Sequence, residues 1–131
     1  MPRLLRRMAL YLLGTTAPQR LTSAKQIHVN VSDAHGAHTF SPASAKADVG
    51  DILTFHFFGG RHDVVRGVFD MPCTPAAENG FYSGELEDGD GGEQEKEMVF
   101  SVRVRDEEPI WFFCSVGGHC GSGMVGVVNA P

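Results

Sequence analysis

Several short runs of the chain alternate between hydrophobic and polar residues, which is the pattern of a half-buried β-strand. Residues 26–31 and 99–104 both alternate in this way. Residues 52–58 are apolar on both faces for much of their length, which predicts a strand at the centre of a packed sheet. Two further hydrophobic runs, at 110–114 and 125–128, predict strands near the C-terminal end of the chain.

Turn-forming residues separate these runs at short, nearly regular intervals. Polar turns are predicted at 32–38 and 59–61, and the prolines and cysteine of 69–79 predict an irregular loop. Shorter strands are predicted at 39–40, 62–65 and 81–84. No segment has a sustained helical period, and no internal repeat is visible. The pattern therefore predicts an all-β fold, a Greek-key β-sandwich of seven to eight strands.

The composition fits one globular domain. The chain has 131 residues, of which 42% are hydrophobic and 21% charged, and its 16 glycines and 7 prolines agree with a turn-rich all-β architecture. The formal net charge is −5, and no basic patch with interleaved aromatic residues is present. These features exclude nucleic acid as a partner. No apolar run is long enough to span a bilayer.

The first 24 residues differ from the rest of the chain in charge. They contain four arginines and no acidic residue, and the apolar run 8–13 is followed by small residues. This order is typical of a secretory signal peptide, and a disordered N-terminus is the alternative. We therefore assign 1–24 to one of these two and 25–131 to a folded domain, and we expect a secreted, extracellular protein. Asn30 begins a glycosylation sequon.

The segment 111–125 contains the candidate chemistry of the chain. It places a thiol at Cys114, an imidazole at His119 and a thioether at Met124, with four residues between successive members. Two imidazoles, one thiolate and a weak axial methionine are the ligands of a blue-copper electron-transfer site. His62 is the natural second imidazole, because it follows a glycine turn at the end of a predicted core strand. Zinc is the competing metal, but methionine is a poor zinc ligand.

Four stretches of the chain share a recognisable pattern: GDILTFHF at 50–57, HDVV at 62–65, PCTP at 72–75 and PIWFFCSVGGHCGSGMVGVVN at 109–129. Together they resemble the cupredoxins, and the plant phytocyanins and the small cupredoxin domains secreted by fungi are the nearest types. The resemblance covers roughly residues 26 to 130, and the spacing C-x4-H-x4-M matches the phytocyanin type. It implies that 25–131 is a cupredoxin domain.

The resemblance also implies roles for the candidate histidines, cysteines and methionine. It implies one copper ion in a type 1 site with the ligands His62, Cys114, His119 and Met124. It places a disulfide between Cys73 and Cys120, beside the second histidine.

One position departs from the pattern of many cupredoxins, since Asp63 stands where an asparagine often follows the first histidine. An ionised carboxylate there would lower the reduction potential, whereas a protonated one would donate a hydrogen bond, and the sequence leaves both open. The other histidines are expected to lie outside the site: His28 and His56 on strands, and His35 and His38 in an exposed turn.

The function predicted from these residues is one-electron transfer rather than catalysis. The chain has no paired histidine motifs for an oxygen-reducing cluster and no hydrolase constellation. Two alternatives are a copper-binding or storage protein and a structural cell-surface domain without an essential redox role. We expect a monomer that exchanges electrons with a redox protein or small molecule of unknown identity. The acidic segment 85–97 is either a solvated loop or a docking surface for a cationic partner.

Overall fold

A computed structural model describes residues 13–18, 23–87 and 97–131 of the chain. The regular structure of these residues consists of ten β-strands and contains no helix. In chain order the strands are β1 (Gln26–Val31), β2 (Phe40–Ser41), β3 (Ser44–Ala45), β4 (Ile52–Phe57), β5 (Arg61–His62), β6 (Val65–Arg66), β7 (Leu86–Glu87), β8 (Val99–Arg103), β9 (Ile110–Phe113) and β10 (Val125–Val128). The predicted N-terminal segment 1–24 and the acidic segment 85–97 lie mostly outside the described residues.

The strands form two four-stranded sheets, which confirms the predicted all-β sandwich. The first sheet has the order β2-β1-β4-β8 and the second has the order β3-β10-β9-β6, while β5 pairs separately with β7. The pairs β1–β4 and β3–β10 are parallel, and the remaining neighbours are antiparallel. Nowhere in the described ranges is there a helix long and apolar enough to cross a bilayer.

Ten strands are present where seven to eight were predicted, and the difference lies in two-residue strands. Strands β3 and β7 were not predicted, because two residues are too short to show an alternating pattern. The predicted strand at 62–65 is divided into β5 and β6, which belong to different sheets. The predicted strand at 81–84 contributes an isolated bridge between Val65 and Tyr82.

Strand β4 lies between β1 and β8, as its apolar pattern predicted. Its inward side chains Leu53, Phe55 and Phe57 are buried, and Val29 and Val31 of β1 are buried beside them. Side chains of a strand alternate between the two faces of the sheet, so the intervening residues of β1 are exposed. The alternation therefore predicted correctly which side chains form the core.

The two sheets are joined by a cluster of phenylalanine rings. The ring centroid of Phe112 in β9 lies 4.9 Å from that of Phe40 and 5.2 Å from that of Phe55, both in edge-to-face geometry. Such aromatic pairs stabilise a core beyond the apolar area that they bury. This packing fixes β9 against the first sheet, and β9 leads directly into the candidate ligand loop.

A buried carboxylate closes the turn before β4. The Asp51 carboxylate accepts hydrogen bonds from the backbone amides of Asp48, at 2.9 Å, and Lys25, at 3.0 Å. These two bonds, of which the one from Asp48 has the larger effect, hold the pKa of Asp51 below its ordinary value. The ionised form is therefore the one that stabilises the fold.

This arrangement predicts an acid-dependent loss of stability. Because the pKa of Asp51 is lowered in the folded state, its contribution is complete above the ordinary aspartate value of 3.8 and is lost as the pH falls through the lowered pKa. Asp51→Asn should lower the melting temperature at pH 7, and the difference from the natural chain should shrink as the pH approaches 2. Asp70→Asn is the matched control, since that exposed carboxylate has no hydrogen bond to another described residue. Equal pH profiles for both variants would contradict the prediction.

Candidate metal centre

The loop between β9 and β10 is folded by its own backbone hydrogen bonds. The Cys114 amide donates to the Met124 carbonyl at 3.1 Å, which closes the base of the loop where the antiparallel pair begins. Within the loop, the His119 amide donates to the Val116 carbonyl and the Met124 amide donates to the His119 carbonyl, both at 3.0 Å. The predicted spacing of the three side chains thus becomes a compact hairpin loop.

His62 reaches this loop from β5 with its ring almost wholly buried. Its Nε2 lies 3.0 Å from the Gly59 carbonyl oxygen, and its ring centroid is 5.1 Å from that of His119. A carbonyl oxygen can only accept, so Nε2 donates and the hydrogen-free nitrogen of the neutral ring is Nδ1. The buried Nδ1 has no hydrogen-bond partner among the described residues. In a metal-binding histidine, one ring nitrogen typically donates to a carbonyl and the other presents a buried lone pair without a protein partner, as His62 does.

The carbonyl that orients His62 belongs to a position that only glycine can occupy. Gly59 has a φ of +46°, and a Cβ there would lie 1.8 Å from the Asp33 carbonyl oxygen. This distance is far below van der Waals contact, so any side chain would displace the turn. The glycine turn seen in the sequence is therefore the element that aims the His62 ring.

Three donor side chains converge at this end of the sandwich. One ligand atom from each of His62, Cys114 and His119 lies within 4.8 Å of the others, and Cys114 Sγ is 3.5 Å from His119 Nδ1. Imidazole nitrogen and thiolate sulfur bind zinc at about 2.0–2.3 Å, and donors that share one ion of this kind must lie within a few ångströms of one another. Met124 is 0% exposed and belongs to the same buried cluster as Cys114. The donor set therefore fits a single metal ion.

The surroundings of the donors favour a neutral imidazole and oppose a free thiolate. Burial, followed by the neighbouring His38 and His62, lowers the pKa of His119, so its ring is readily available as a neutral ligand. Burial also raises the pKa of the Cys114 thiol. A thiolate at this position needs a compensating positive charge, which a bound metal ion would supply.

Asp63 lies in the connection between β5 and β6 and links it to the ligand loop by hydrogen bonds. Its side chain is 1% exposed, and its two carboxylate oxygens accept hydrogen bonds from the backbone amide and the hydroxyl of Ser115. The sequence left open whether the Asp63 carboxyl group is ionised or donates a hydrogen bond. In the structure both of its oxygens accept hydrogen bonds. The carboxylate therefore positions the residue directly after Cys114.

His38 is the site residue that sequence analysis missed. Its exposed ring lies 3.8 Å from the ring of His119 by centroid distance, at an interplanar angle of 30°. Its Nδ1 is 2.9 Å from the Ser122 hydroxyl, which donates to the His119 carbonyl at 2.8 Å. A histidine in a polar turn carries no signal of such a contact, because the turn and the loop meet only in the folded chain.

The last predicted pair, Cys73 and Cys120, forms a disulfide with a Cα–Cα distance of 5.7 Å. Cys120 follows His119 directly, so the bridge ties the backbone of the ligand loop to the irregular segment around Cys73. Cys114 is buried as a free thiol. All three cysteines of the chain therefore have distinct positions in or beside the centre.

Two curated relatives from the fungus Arthroderma benhamiae are similar to almost the whole chain. A probable GPI-anchored cupredoxin-1 is 43% identical over 120 residues, which cover 92% of this chain and 59% of the relative. An extracellular serine-rich protein is 37% identical over 119 residues, which cover 91% of this chain and 44% of the relative. The chain thus spans about half the length of these relatives. No protein-family model matches the chain.

Solved structures show the same fold at much lower sequence identity. The oxidised plastocyanin of the fern Dryopteris crassirhizoma superposes with a TM-score of 0.54 at 20% identity, over 78% of this chain and 97% of that one. An identity this low carries information about the fold alone.

Proposed function

We propose that the chain, which is similar to a fungal cupredoxin, is a cupredoxin domain that binds one copper ion in a type 1 site and acts as a one-electron carrier. The observation that supports this most directly is the cluster of His62, Cys114 and His119, whose ligand atoms lie within 4.8 Å of one another. Two imidazoles and one thiolate are the ligands of a blue-copper site. Met124, which is buried in the same hydrophobic core cluster as Cys114, makes copper a better match than zinc.

The proposed ligands have distinct roles. His62 and His119 would offer imidazole nitrogen, Cys114 its thiolate and Met124 a weakly binding thioether. When bound, copper would supply the one-electron redox change, with no substrate transformed. The chain supplies the constraint: the Gly59 carbonyl fixes the His62 ring, and the backbone bonds of the loop fix the other three. Donors held in this way would move little when the charge on the metal changes.

The outer side of the centre is where a partner would exchange electrons. Cys114, Met124 and His62 are buried, whereas His119 is partly exposed and is covered by the exposed ring of His38. We propose that electrons enter and leave at this side, with a redox protein or small molecule as the partner. The proposal includes no enzymatic step.

An extracellular or cell-surface location accompanies this function. One relative is named a GPI-anchored cupredoxin and the other an extracellular protein. The disulfide between Cys73 and Cys120 agrees with an oxidising compartment, where such bonds persist. We propose residues 25–131 as the functional domain of the chain.

Optical and spin-resonance spectra of the protein with copper(II), followed by voltammetry, test the proposal. We expect an intense visible absorption that saturates at one equivalent of copper, and rapid reversible electron exchange at an electrode. A colourless copper complex would contradict the type 1 site. A blue complex that does not exchange electrons would instead favour copper binding or storage, or a structural role for the metal.

The charge of Asp63 predicts a measurable effect on the reduction potential. A negative charge close to the proposed ligand loop stabilises the more positive oxidation state of the metal, so Asp63→Asn should raise the potential. The side-chain amide introduced at position 63 can accept from the Ser115 backbone amide at Oδ1 and donate from Nδ2 to the Ser115 hydroxyl, so two charge-assisted bonds become neutral ones, which should cost about 1–2 kcal/mol of stability. Voltammetry and chemical unfolding measure the two effects separately.

Ser115→Ala is the matched control for this variant. It removes the hydroxyl bond to Asp63 but leaves the charge and the bond from the Ser115 amide in place. We expect a loss of stability with little change in potential. Equal changes of potential in both variants would show that loop position, and not charge, determines the effect.

A further inference from the structure

A second group of metal-binding side chains lies on the outer face of the first sheet. Strands β1 and β4 pair in parallel, with His28 opposite Thr54 and Asn30 opposite His56. His28 and His56 are therefore diagonal neighbours on adjacent strands, within reach of long side chains. Glu97, two residues before β8, approaches from the other side of β4.

The three side chains form a chain of contacts. Nδ1 of His28 lies 2.8 Å from Nε2 of His56, with the ring centroids 5.0 Å apart. Nδ1 of His56 is hydrogen-bonded to the carboxylate of Glu97. An ionised carboxylate only accepts, so Nδ1 of His56 carries the hydrogen and its Nε2 presents a lone pair towards His28. A carboxylate that fixes one nitrogen of an imidazole in this way is the usual companion of a metal-binding histidine.

The spacing of the two nitrogens suits one shared ion. Two imidazole nitrogens bound to one tetrahedral ion at about 2.0–2.1 Å lie about 3.3 Å apart. In the metal-free chain His28 Nδ1 donates the hydrogen of this 2.8 Å contact to His56 Nε2, so an ion bound to both nitrogens would replace that hydrogen. The rings would then separate by about 0.5 Å and tilt until both lone pairs point at the ion. The His56 side chain is 17% exposed, whereas His28 is exposed, so the His28 ring can move and water can complete the coordination.

We propose that His28 Nδ1 and His56 Nε2 bind a divalent cation that prefers imidazole, Zn²⁺ or Cu²⁺, with Glu97 as the positioning residue. Ions of this class bind imidazole nitrogen well. The site contains no thiolate and shares no residue with the buried centre of His62, Cys114 and His119. It therefore goes beyond the proposed electron-transfer function and does not depend on it.

Titration of the whole chain with Zn²⁺, observed through the ring ¹⁵N resonances of its histidines, tests the proposal. These resonances report each nitrogen separately, so binding at the buried centre does not obscure the second site. We expect Nδ1 of His28 and Nε2 of His56 to shift together and to saturate with one ion bound between them. His28→Gln should remove the shift of His56 Nε2, while His35→Gln, which replaces an exposed histidine of the 32–38 turn, should leave it unchanged.

Glu97→Gln tests the positioning role. Loss of an outer partner typically weakens metal binding 10–100-fold, so zinc affinity at His28 and His56 should fall by at least about tenfold. In the metal-free variant the ¹⁵N shifts of His56 should show a mixture of the two ring tautomers. Unchanged affinity and tautomer would overturn the role of Glu97. Zinc shifts confined to His62 and His119 at millimolar metal would overturn the second site, whereas the blue spectrum expected of the separate copper(II) protein does not depend on that result.

Discussion

Cys114→Ser is expected to remove the intense visible absorption of the copper(II) protein completely. That absorption requires a bond between copper and a thiolate, and Cys114 is the free cysteine of the chain. A serine hydroxyl is nearly the same size but remains protonated and binds soft metals poorly. Removal of a residue that only hydrogen-bonds to a ligand typically weakens metal affinity 10–100-fold, so loss of a residue bonded to copper should weaken copper affinity by more than that. Optical titration with copper(II) and competition with a chelator measure the two effects.

Met124→Leu provides the matched comparison, because it removes a proposed ligand and keeps the thiolate. Met124 is 0% exposed, and leucine has a similar volume, so the buried cluster should tolerate the exchange. We expect a blue protein with a changed reduction potential, since the axial ligand tunes the potential. An equally strong visible band in Cys114→Ser would show that the metal lies elsewhere.

Removal of the disulfide is expected to cause the largest change in stability. The bridge joins residues separated by 47 positions, and closure of a loop of this length is worth about 4 kcal/mol in the chain-entropy model. The double variant Cys73→Ala/Cys120→Ala removes the bridge without leaving an unpaired thiol near His119. With an m value of about 2 kcal/mol/M, the urea midpoint of the metal-free protein should fall by about 2 M.

Chemical reduction of the natural chain is the independent check on this prediction. If the bridge acts through the unfolded chain, the reduced protein and the double variant should unfold at similar urea concentrations. A fall of less than about 1 kcal/mol in both would contradict a stabilising role. A loss confined to the double variant would point to packing around Cys120, which is 9% exposed, instead of the covalent bond.

Much of the fold follows from local sequence pattern. Val29, Val31 and the phenylalanines of β4 face the core because side chains alternate along a strand, and alternation is visible in the sequence. The two-residue strands β3 and β7 show no period and were not predicted. Their pairing depends on β10 and β5, which are distant in sequence and adjacent only in the folded chain.

Part of the candidate site likewise follows from the sequence, and part is visible only in the structure. Spacing alone placed Cys114, His119 and Met124 on one loop, and a glycine turn singled out His62. These predictions rest on local chemistry, since donor type and turn residues are properties of the sequence. The structure then brought His62 into the cluster, paired Asp63 with Ser115 and placed His38 against His119.

Local sequence pattern therefore specifies the class of fold, the buried faces of the strands and the type of donor available for a metal. Which nitrogen of His62 faces the cluster and which carboxylate meets His56 depend on the folded chain. Hydrophobic periodicity and turn chemistry act over only a few residues. Hydrogen bonds such as that between Asp63 and Ser115, or between His56 and Glu97, span 52 and 41 positions and form only when distant segments of the chain have met.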